Sequence, residues 1–181
     1  MTNIVTEYLR EHTVSSLEQF GIFAKYSNKN PRKFCLNYDQ IEAINGHALV
    51  NACRGLVLLT PENNEDYQVV AWPFDRFYNY GSEFAAELNP DNIIYEHKLD
   101  GTCCIVYWDS ILNEWCVGTR NVPDGDLANS DGKTFAEMFW DVAEPITFFN
   151  DNEIVSKVAS LDYEMRLIPG HTYVFELCGP D

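Results

Sequence analysis

The residue of this chain best suited to covalent chemistry is Lys98, which stands in the run Tyr95-Glu96-His97-Lys98-Leu99-Asp100-Gly101-Thr102. A lysine amine becomes a nucleophile when desolvation lowers its pKa, and it can then form a covalent intermediate. Apolar runs at 93–95 and 103–108 flank this segment, and both are predicted to be buried strands that would partly desolvate Lys98. The alternative is a surface lysine before a tight turn, because Asp-Gly is a common turn pair.

Positive charge is scarce in this chain, so each cation is expected to have a specific role. The net charge is −16, from 28 acidic and 12 basic residues. Such a surface repels nucleic acid unless the cations are concentrated where phosphates bind. Between Phe34 and Gly132 the only bases are Arg54, Arg76, Lys98 and Arg120, among sixteen acids. Each of these cations is therefore a candidate for a bound phosphate or for a structural ion pair.

Length and composition predict a cytoplasmic protein with one sizeable core. The chain has 181 residues, of which 46% are hydrophobic. No apolar run approaches the length of a membrane span, and the N-terminus lacks the regions of a signal peptide, so no membrane partner is expected. The six cysteines form no C-x-x-C pair and the histidines do not complete zinc spacing. We interpret the cysteines as reduced packing residues.

The elements that must position these residues are mostly strands. The predicted elements are a helix within Thr2 to Phe23, a basic loop at Lys25 to Lys33, paired strands at 56–59 and 69–72, a hairpin of 102–108 with 114–119, helices at Thr134 to Ala143 and Asn152 to Leu161, and a closing strand at Tyr173 to Leu177. Because no regular βαβ alternation is present, we expect an α+β fold with antiparallel sheets and inserted helices. The basic loop is predicted to be solvated, with contact to RNA phosphates as the alternative.

Five short segments occur in an order that resembles a known enzyme family. They are Cys53-Arg54-Gly55, Pro73-Phe74-Asp75-Arg76-Phe77-Tyr78-Asn79, Lys98-Leu99-Asp100-Gly101, Thr119-Arg120-Asn121 and Phe175-Glu176-Leu177. In order and spacing they resemble the nucleotidyltransferase domain of ATP-dependent RNA ligases, in particular the phage tRNA-repair ligases of the T4 RNA ligase 1 type. The resemblance implies a nucleotidyltransferase (ligase adenylation) fold at 51–181, incomplete at its C-terminus, after an N-terminal helix and basic loop at 1–50.

The resemblance implies a set of ATP-binding residues around Lys98. Lys98 would be the catalytic nucleophile, attacking the α-phosphate of ATP and holding AMP as a phosphoramidate. Glu96 resembles the acid that accepts a hydrogen bond from the adenine amino group and so selects ATP over GTP. Arg54 and Arg76 resemble the cations that hold the β- and γ-phosphates, although the T4 type has lysine at the second position. For Tyr78, a ligand contact and a core role both remain open.

The remaining implied roles concern the ribose, the transferred phosphate and a metal ion. Arg120 resembles the basic residue that contacts the ribose and the transferred phosphate, and Phe175 resembles the aromatic that supports the nucleotide pocket. Asp100 and Glu176 resemble acids that hold water on a catalytic Mg²⁺ or Mn²⁺ ion, and Glu176 would alternatively bind the ribose. Gly101 is implied to leave room where the backbone passes close to the nucleotide. Ion pairs with nearby acids are the alternative for the three arginines.

The implied reaction joins RNA ends in three phosphoryl transfers. AMP passes from ATP to Lys98 and then to an RNA 5′-phosphate, after which an RNA 3′-hydroxyl attacks and AMP leaves. The implied partners are ATP, RNA ends such as those of broken tRNA, and an end-healing polynucleotide kinase/phosphatase. The expected location is the cytoplasm, which for a phage-encoded protein is that of the host.

The chain also departs from the family pattern. It ends at Cys178-Gly179-Pro180-Asp181, before the family's Glu-Gly strand and late Lys-x-Lys pair. Because those lysines bind the α-phosphate, we expect this chain to form lysyl-AMP poorly or not at all. Two other interpretations remain. One is a DNA ligase-like adenylyltransferase or capping guanylyltransferase, and Glu96 argues against guanine. The other is a non-catalytic nucleotide- or protein-binding remnant of the fold.

Overall fold

A computed structural model shows an α+β fold built from antiparallel sheets, and it describes residues 3–63, 65–143, 147–149, 153–157 and 164–178. The helices are α1 (Ile4–Tyr8), α2 (Ala48–Ala52) and α3 (Phe135–Val142), with 3₁₀ helices at Val14–Phe20 and Pro90–Asn92. The strands are β1 (Ile22–Tyr26), β2 (Lys33–Tyr38), β3 (Leu56–Leu59), β4 (Gln68–Ala71), β5 (Thr102–Asp109), β6 (Glu114–Thr119), β7 (Thr147–Phe149), β8 (Glu153–Lys157), β9 (Glu164–Leu167) and β10 (Thr172–Leu177). All their pairings are antiparallel, which confirms the predicted fold class. None of the described helices is long and apolar enough to cross a membrane.

Two sheets pack face to face and form the centre of the molecule. The first has the strand order β1-β2-β3-β4, and the second has the order β10-β5-β6. Their facing sides meet in a cluster of Cys35, Val57, Ala71, Ile105, Tyr107 and Cys116. Because successive side chains of a strand point to opposite faces, the neighbouring residues on the same strands pack outward. The predicted 56–59/69–72 pair and the predicted hairpin are both confirmed.

Helical segments cover the outer faces of both sheets. On the first sheet, Phe34 and Leu36 of β2 pack in one cluster with Val5 and Leu17 from the N-terminal helical segments. On the second sheet, residues of β5 and β6 pack with Phe139 of α3. Helix α3, which confirms the prediction for Thr134 to Ala143, begins with a capping box between Thr134 and Glu137. The result is a helix–sheet–sheet–helix order of layers.

Two predicted helices are wrong in extent or type. The N-terminal helix is interrupted near Thr13, where Ser16 Oγ donates a 2.7 Å hydrogen bond to the Thr13 carbonyl oxygen and so competes with helical backbone bonding. The second helical segment ends at Gly21, which has a left-handed φ of +74° and directly precedes strand β1. In the second case, residues 153–157 form strand β8, paired with β7 and β9, where the adjacent β-branched Ile154 and Val155 favour a strand. The rest of the predicted helix at 152–161 lies outside the described residues.

The predicted basic loop is shorter than expected and its cations are paired. Lys25 belongs to β1 and Lys33 begins β2, so the loop covers only 27–32. Strand β2, which follows the loop, pairs with β3, although the sequence predicted a domain boundary between them at residue 50. Within the loop, Lys29 pairs with Glu114 and Arg32 pairs with Glu62. These ion pairs disfavour the alternative of an RNA-binding loop.

Lys33 forms a fully buried ion cluster between the two sheets. Its Nζ lies 2.7 Å from Asp109 Oδ2, at the end of β5, and 2.6 Å from Asp124 Oδ1, in the loop after β6. Its side chain is 0% exposed, and the two carboxylates are 1% and 4% exposed. Ser27 Oγ donates to the other oxygen of Asp124, and the Tyr107 hydroxyl donates to the Pro123 carbonyl oxygen at 2.7 Å. The cluster ties β2 to both ends of the hairpin region.

Replacing Lys33 with methionine tests how far this cluster stabilises the fold. Methionine has a similar length but leaves two buried carboxylates without a counter-ion, and breaking a buried ion pair costs about 3–5 kcal/mol. We therefore expect Lys33→Met to lower the free energy of unfolding in urea by about that amount. The matched control is Lys133→Met, which removes an exposed ion pair with Asp141 and should destabilise far less, because solvent screens that pair. Equal losses in the two variants would contradict a special role for the buried cluster.

The same cluster sets the pH range of stability. Burial raises the pKa of Asp109, but hydrogen bonds from Lys33 and from the Leu112 and Ile111 amides outweigh it, so this pKa lies below its usual value. Its contribution to stability is therefore complete above about pH 4, the pKa of an unfolded aspartate, and is lost as the pH falls through the lowered folded pKa.

Lys33 sets the alkaline limit of the pH range in which the cluster stabilises the fold. Burial lowers its pKa, but the Cys116, Asp109 and Asp124 groups together raise it above the usual value. Its contribution is complete below about pH 10 and is lost as the pH rises through the folded pKa. Urea unfolding from pH 2 to pH 11 should show both losses, and both should be absent in Lys33→Met. An acid loss of the same size in that variant would contradict this assignment.

Candidate active site

A cleft with a volume of about 830 Å³ opens at one end of the second sheet. Its walls come from the turn before β3, the segment after β4, the chain leading into β5, the end of β6, and β10. The lining residues are Arg54, Phe74, Phe77, Glu96, His97, Lys98, Leu99, Gly101, Thr102, Cys103, Thr119, Arg120, Asn121, Val174, Phe175 and Glu176.

The cleft brings together most of the residues singled out in the sequence. Seven line it: Arg54, Glu96, Lys98, Gly101, Arg120, Phe175 and Glu176. They come from segments far apart in the chain, so the fold and not local sequence creates their proximity. Arg76 and Asp100, which were also predicted to belong to the site, are not among the lining residues.

Strand pairing explains why the β5 and β10 residues share one site. β10 pairs with β5 in a register that sets Glu176 opposite Cys103 and Phe175 opposite Cys104. Phe175 also packs against Phe139 of α3, with ring centroids 5.4 Å apart. Phe175 thus shares the α3 side of the second sheet with Cys104, while Glu176 shares the other side with Cys103.

Gly101 has a structural reason to be glycine. A Cβ at this position would lie 2.3 Å from the Leu177 carbonyl oxygen and 2.9 Å from its carbon, well inside van der Waals contact. The absence of a side chain therefore lets the Lys98 segment approach the end of β10 closely. The family resemblance implied a glycine here because the backbone passes close to a nucleotide. The contact with Leu177 is a second reason for a glycine at this position.

Arg54 is held at the cleft by a strained turn and two aromatic rings. Gly55, which follows it, has φ +86° and lies where a Cβ would be 2.5 Å from Ile105 Cδ1. The guanidinium carbon of Arg54 lies 4.4 Å from the ring centroid of Phe74 and 5.2 Å from that of Phe77. Cation–π contacts of this kind orient the guanidinium without neutralising its charge.

The cations of the cleft lack the carboxylate partners that most other cations of the described residues have. Outside the cleft, Arg10, Lys29, Arg32, Lys33 and Lys133 each form an ion pair with an aspartate or glutamate. Within the described residues, no carboxylate oxygen lies within 4.0 Å of a side-chain nitrogen of Arg54, Lys98 or Arg120. The ion-pair alternative therefore fails for Arg54 and Arg120. Three cations that form no short-range ion pair line one cavity, which favours an anionic ligand although Glu96 and Glu176 line it as well.

Lys98 is exposed, and the strand predicted before it is absent. Residues 93–100 have no regular structure, with Ile94 81% exposed and Tyr95 90% exposed. The prediction of a buried strand at 93–95 is therefore wrong, because none of the described strands pairs with these residues. The Lys98 amine donates a 3.4 Å hydrogen bond to the Leu99 carbonyl oxygen. The expected desolvation between two apolar strands is not present.

Arg76 lies outside the cleft lining, in an aromatic stack. Its guanidinium carbon is 4.5 Å from the ring centroid of Tyr38 and 4.8 Å from that of Tyr78. One guanidinium nitrogen, Nη1, is buried and has no hydrogen-bond partner within the described residues. The Tyr78 hydroxyl donates to Asn51 Oδ1 at 2.9 Å and accepts from the Gly46 amide at 2.8 Å. These bonds favour the core role for Tyr78.

The sequence did not single out Cys103, which faces the cleft while Cys104 faces α3. Burial raises the pKa of Cys103, and the nearby Arg54 and Arg120 partly oppose it. The predicted reduced state agrees with the structure, since all six cysteines are free. The signal that would have found Cys103 is strand alternation, because 103, 105, 107 and 109 share one face of β5.

The cleft also offers oxygen ligands for a metal ion. No group of three or more histidine, cysteine, aspartate or glutamate side chains able to hold a metal occurs among the described residues. Glu96 and Glu176 both line the cleft, and carboxylates are the ligands Mg²⁺ takes when water and phosphate oxygens complete its shell. The residues present therefore fit a Mg²⁺ or Mn²⁺ ion that arrives with a phosphate ligand, and do not form a metal site of their own.

Gly101→Ala tests whether the close approach to Leu177 organises the cleft. The added methyl cannot fit 2.3 Å from a backbone carbonyl, so β10 must move, at a cost of about 1–3 kcal/mol. We expect faster amide hydrogen exchange in β5 and β10. The control is Gly170→Ala, where a Cβ would meet nothing within 4 Å although φ is +89°, so that only backbone strain is added. Unchanged exchange in β10 of Gly101→Ala would refute the contact's importance.

Comparison with known proteins shows two distant relatives. The chain is 25% identical to a protein named RNA ligase from Rhodothermus phage RM378 over 163 aligned residues, which cover 72% of this chain and 33% of the phage protein. It is 34% identical over 95 residues to a protein of Autographa californica nuclear polyhedrosis virus provisionally described as a bifunctional polynucleotide kinase/RNA ligase, which covers 47% of this chain and 13% of the viral protein. No family model and no solved structure matches the chain. The chain is thus a distant relative of proteins named RNA ligase and spans a third or less of the length of each.

Proposed function

We propose that this chain carries the nucleotide-binding part of an ATP-dependent RNA ligase with a nucleotidyltransferase fold. The observation that carries the proposal is the cleft in which Lys98 lies beside two arginines without carboxylate partners. A triphosphate is the ligand that such a group of cations would neutralise. The distant likeness to two proteins with RNA ligase in their names supports the same assignment.

In the proposed first step, the Lys98 amine attacks the α-phosphorus of ATP. A P–N bond forms, the bond between the α-phosphorus and the bridging oxygen breaks, and pyrophosphate leaves with that electron pair. The amine must lose its proton before or during the attack, because an ammonium group has no lone pair. Phosphoryl transfer of this kind depends on positioning and charge neutralisation more than on covalent chemistry by other residues.

The other cleft residues then have consistent proposed roles. Arg54 and Arg120 neutralise phosphate oxygens, and Glu96 accepts a hydrogen bond from the adenine amino group. Phe175 supports the nucleotide as part of the cleft wall, and Glu176 binds the ribose or metal-bound water. Arg76 stays a proposed triphosphate contact only if its stack with Tyr38 and Tyr78 opens, because it does not line the cleft.

A Mg²⁺ or Mn²⁺ ion would withdraw charge from the triphosphate and stabilise the pyrophosphate leaving group. Glu176 would hold such an ion through water, with Asp100 proposed to do the same from outside the lining. The amine, the arginines and the carboxylate of Glu96 would still bind and orient the nucleotide.

In the two later proposed steps, AMP passes to an RNA 5′-phosphate, and an RNA 3′-hydroxyl then displaces AMP to form the phosphodiester. The substrates would be broken RNAs such as tRNA. A kinase/phosphatase that prepares such ends is a proposed partner, and the viral relative's description names a kinase and a ligase together.

A second candidate is a nucleotide-binding protein without ligase chemistry. The observation that favours it is the exposure of Lys98, whose segment has no strand on its N-terminal side. In that case the cleft would bind ATP or AMP and no covalent adduct would form.

Incubation with ATP labelled at the α-phosphate, in the presence of Mg²⁺, separates the two candidates. We expect a ligase chain without the late lysine pair to give weak label on Lys98, acid-labile and base-stable, and Lys98→Ala to give none while still binding ATP. The matched control is Lys25→Ala, which removes an exposed lysine outside the cleft and should leave labelling unchanged. Label that persists in Lys98→Ala, or a wild-type chain that binds neither ATP nor AMP, would contradict the proposal. Binding without label would favour the second candidate.

A further inference from the structure

One polar residue of the cleft has no role in the scheme above. Asn121 follows Arg120 at the end of β6 and lines the cleft. It belongs to a rigid turn: the Thr119 amide donates to the Val122 carbonyl oxygen at 2.9 Å, and the Asn121 amide donates to Thr119 Oγ1 at 3.2 Å. A Cβ on Gly118 would lie 2.6 Å from the Pro123 carbonyl oxygen, so this turn is closely packed.

The Asn121 side chain is held from below by a buried residue of the other sheet. Asn37, on β2, is only 2% exposed, and its Nδ2 donates a hydrogen bond to Asn121 Oδ1. The turn is anchored nearby as well, because the Cys35 thiol donates to the Thr119 and Arg120 carbonyl oxygens at 3.9 Å and 3.6 Å. The orientation of the Asn121 amide is therefore fixed before any ligand binds.

The burial of the Asn37 amide is energetically unfavourable, and its hydrogen bond to Asn121 gives a reason for an asparagine at this position. Its own Oδ1 is buried and has no hydrogen-bond partner among the described residues, which is unfavourable in a packed interior. An apolar residue would avoid the cost if the position served packing alone. Among the described residues, the one hydrogen bond that the Asn37 side chain makes is the bond to Asn121.

We propose that Asn121 is a ligand-binding residue of the cleft, whose Nδ2 donates a hydrogen bond to a phosphate oxygen, and that Asn37 is the positioning residue that fixes it. Because the Asn121 oxygen accepts from Asn37, the NH₂ group is the part of this amide left to bind a ligand. A donor beside Arg120 matches an anionic oxygen, since a phosphate accepts hydrogen bonds and cannot donate them at neutral pH. This inference rests on the proposed function for the identity of the ligand.

The test measures dissociation constants for ATP and for inorganic pyrophosphate, which has neither base nor sugar. Loss of a hydrogen bond to a charged group should raise both constants about tenfold or more in Asn121→Ala. Asn121→Asp should raise them further, because a carboxylate repels phosphate. The matched control is Asn92→Ala, at an exposed asparagine outside the cleft lining, and it should change neither constant.

The positioning role of Asn37 is tested by a double substitution. Asn37→Ala should weaken binding of both ligands in the wild-type background and have no further effect in the Asn121→Ala background. A purely structural role would add the same loss in both backgrounds. If Asn37→Ala does not fold, as judged by thermal unfolding, Asn37→Ser leaves a smaller cavity and serves in the same cycle.

The outcomes separate this inference from the proposed function. Unchanged constants in Asn121→Ala, with a wild-type chain that binds ATP, would overturn the inference and leave the function intact. Weaker binding of ATP alone would overturn the assignment to phosphate. A wild-type chain that binds pyrophosphate no less tightly than ATP would count against the function, and the inference would stand if Asn121→Ala weakened that binding. Binding of neither ligand would overturn both.

Discussion

The constraint on which this structure depends is the burial of one ammonium group between two sheets. Lys33 is fully enclosed, so its charge must be matched by carboxylates that approach from the opposite sheet and from the loop after β6. Isolated charges are very unfavourable in a protein interior, and the sheets therefore cannot slide without separating the charges. Apolar side chains alone would tolerate a range of sheet offsets. The ion cluster selects one, and the position of the cleft at the other end of β5 follows from it.

The cluster and the cleft lie at opposite ends of one strand face. Cys103 faces the cleft, Ile105 and Tyr107 pack against the first sheet, and Asp109 binds Lys33. Because these residues alternate along β5, the strand transmits the position of the first sheet to the cleft residues on β6 and β10. The arrangement of Arg120 and Glu176 around the cleft is thus set by packing and by electrostatics many residues away.

Local patterns predicted the elements that local interactions control. The hairpin of β5 and β6, the β3–β4 pair, the capping box of α3 and the strand β10 could all be read from alternation and turn residues. The errors occur where a distant partner decides. Lys33 looked like a loop residue because its counter-ion lies 76 positions away, and Ile93-Ile94-Tyr95 looked like a strand although it has no strand to pair with. Apolar composition shows that a segment can form a strand, and only a partner makes it one.

The site was predicted from the order of its motifs, and the fold places seven of the predicted residues at one cleft while their roles stay a prediction. Arg76 and Asp100 belong to the same short motifs as lining residues, yet they lie elsewhere, because neighbouring residues in a motif need not face the same way. Asn121 and Cys103 show the opposite case. Neither residue had a functional role of its own predicted from the sequence. The structure places Asn121 beside Arg120 and pairs Cys103 with Glu176 at the same cleft.

The pairing of cations outside the cleft has a consequence for how a polyanion would approach. At distances beyond the Debye length of about 8 Å at physiological salt, such a ligand meets the net charge of −16 and is repelled. Attraction begins near Arg54, Lys98 and Arg120, none of which has a carboxylate oxygen within 4.0 Å of its side-chain nitrogens among the described residues. Salt would then act in two opposing ways, weakening the repulsion at long range and the attraction at short range. Encounter would be slow, because the net negative charge repels a polyanion until it comes close to these three cations.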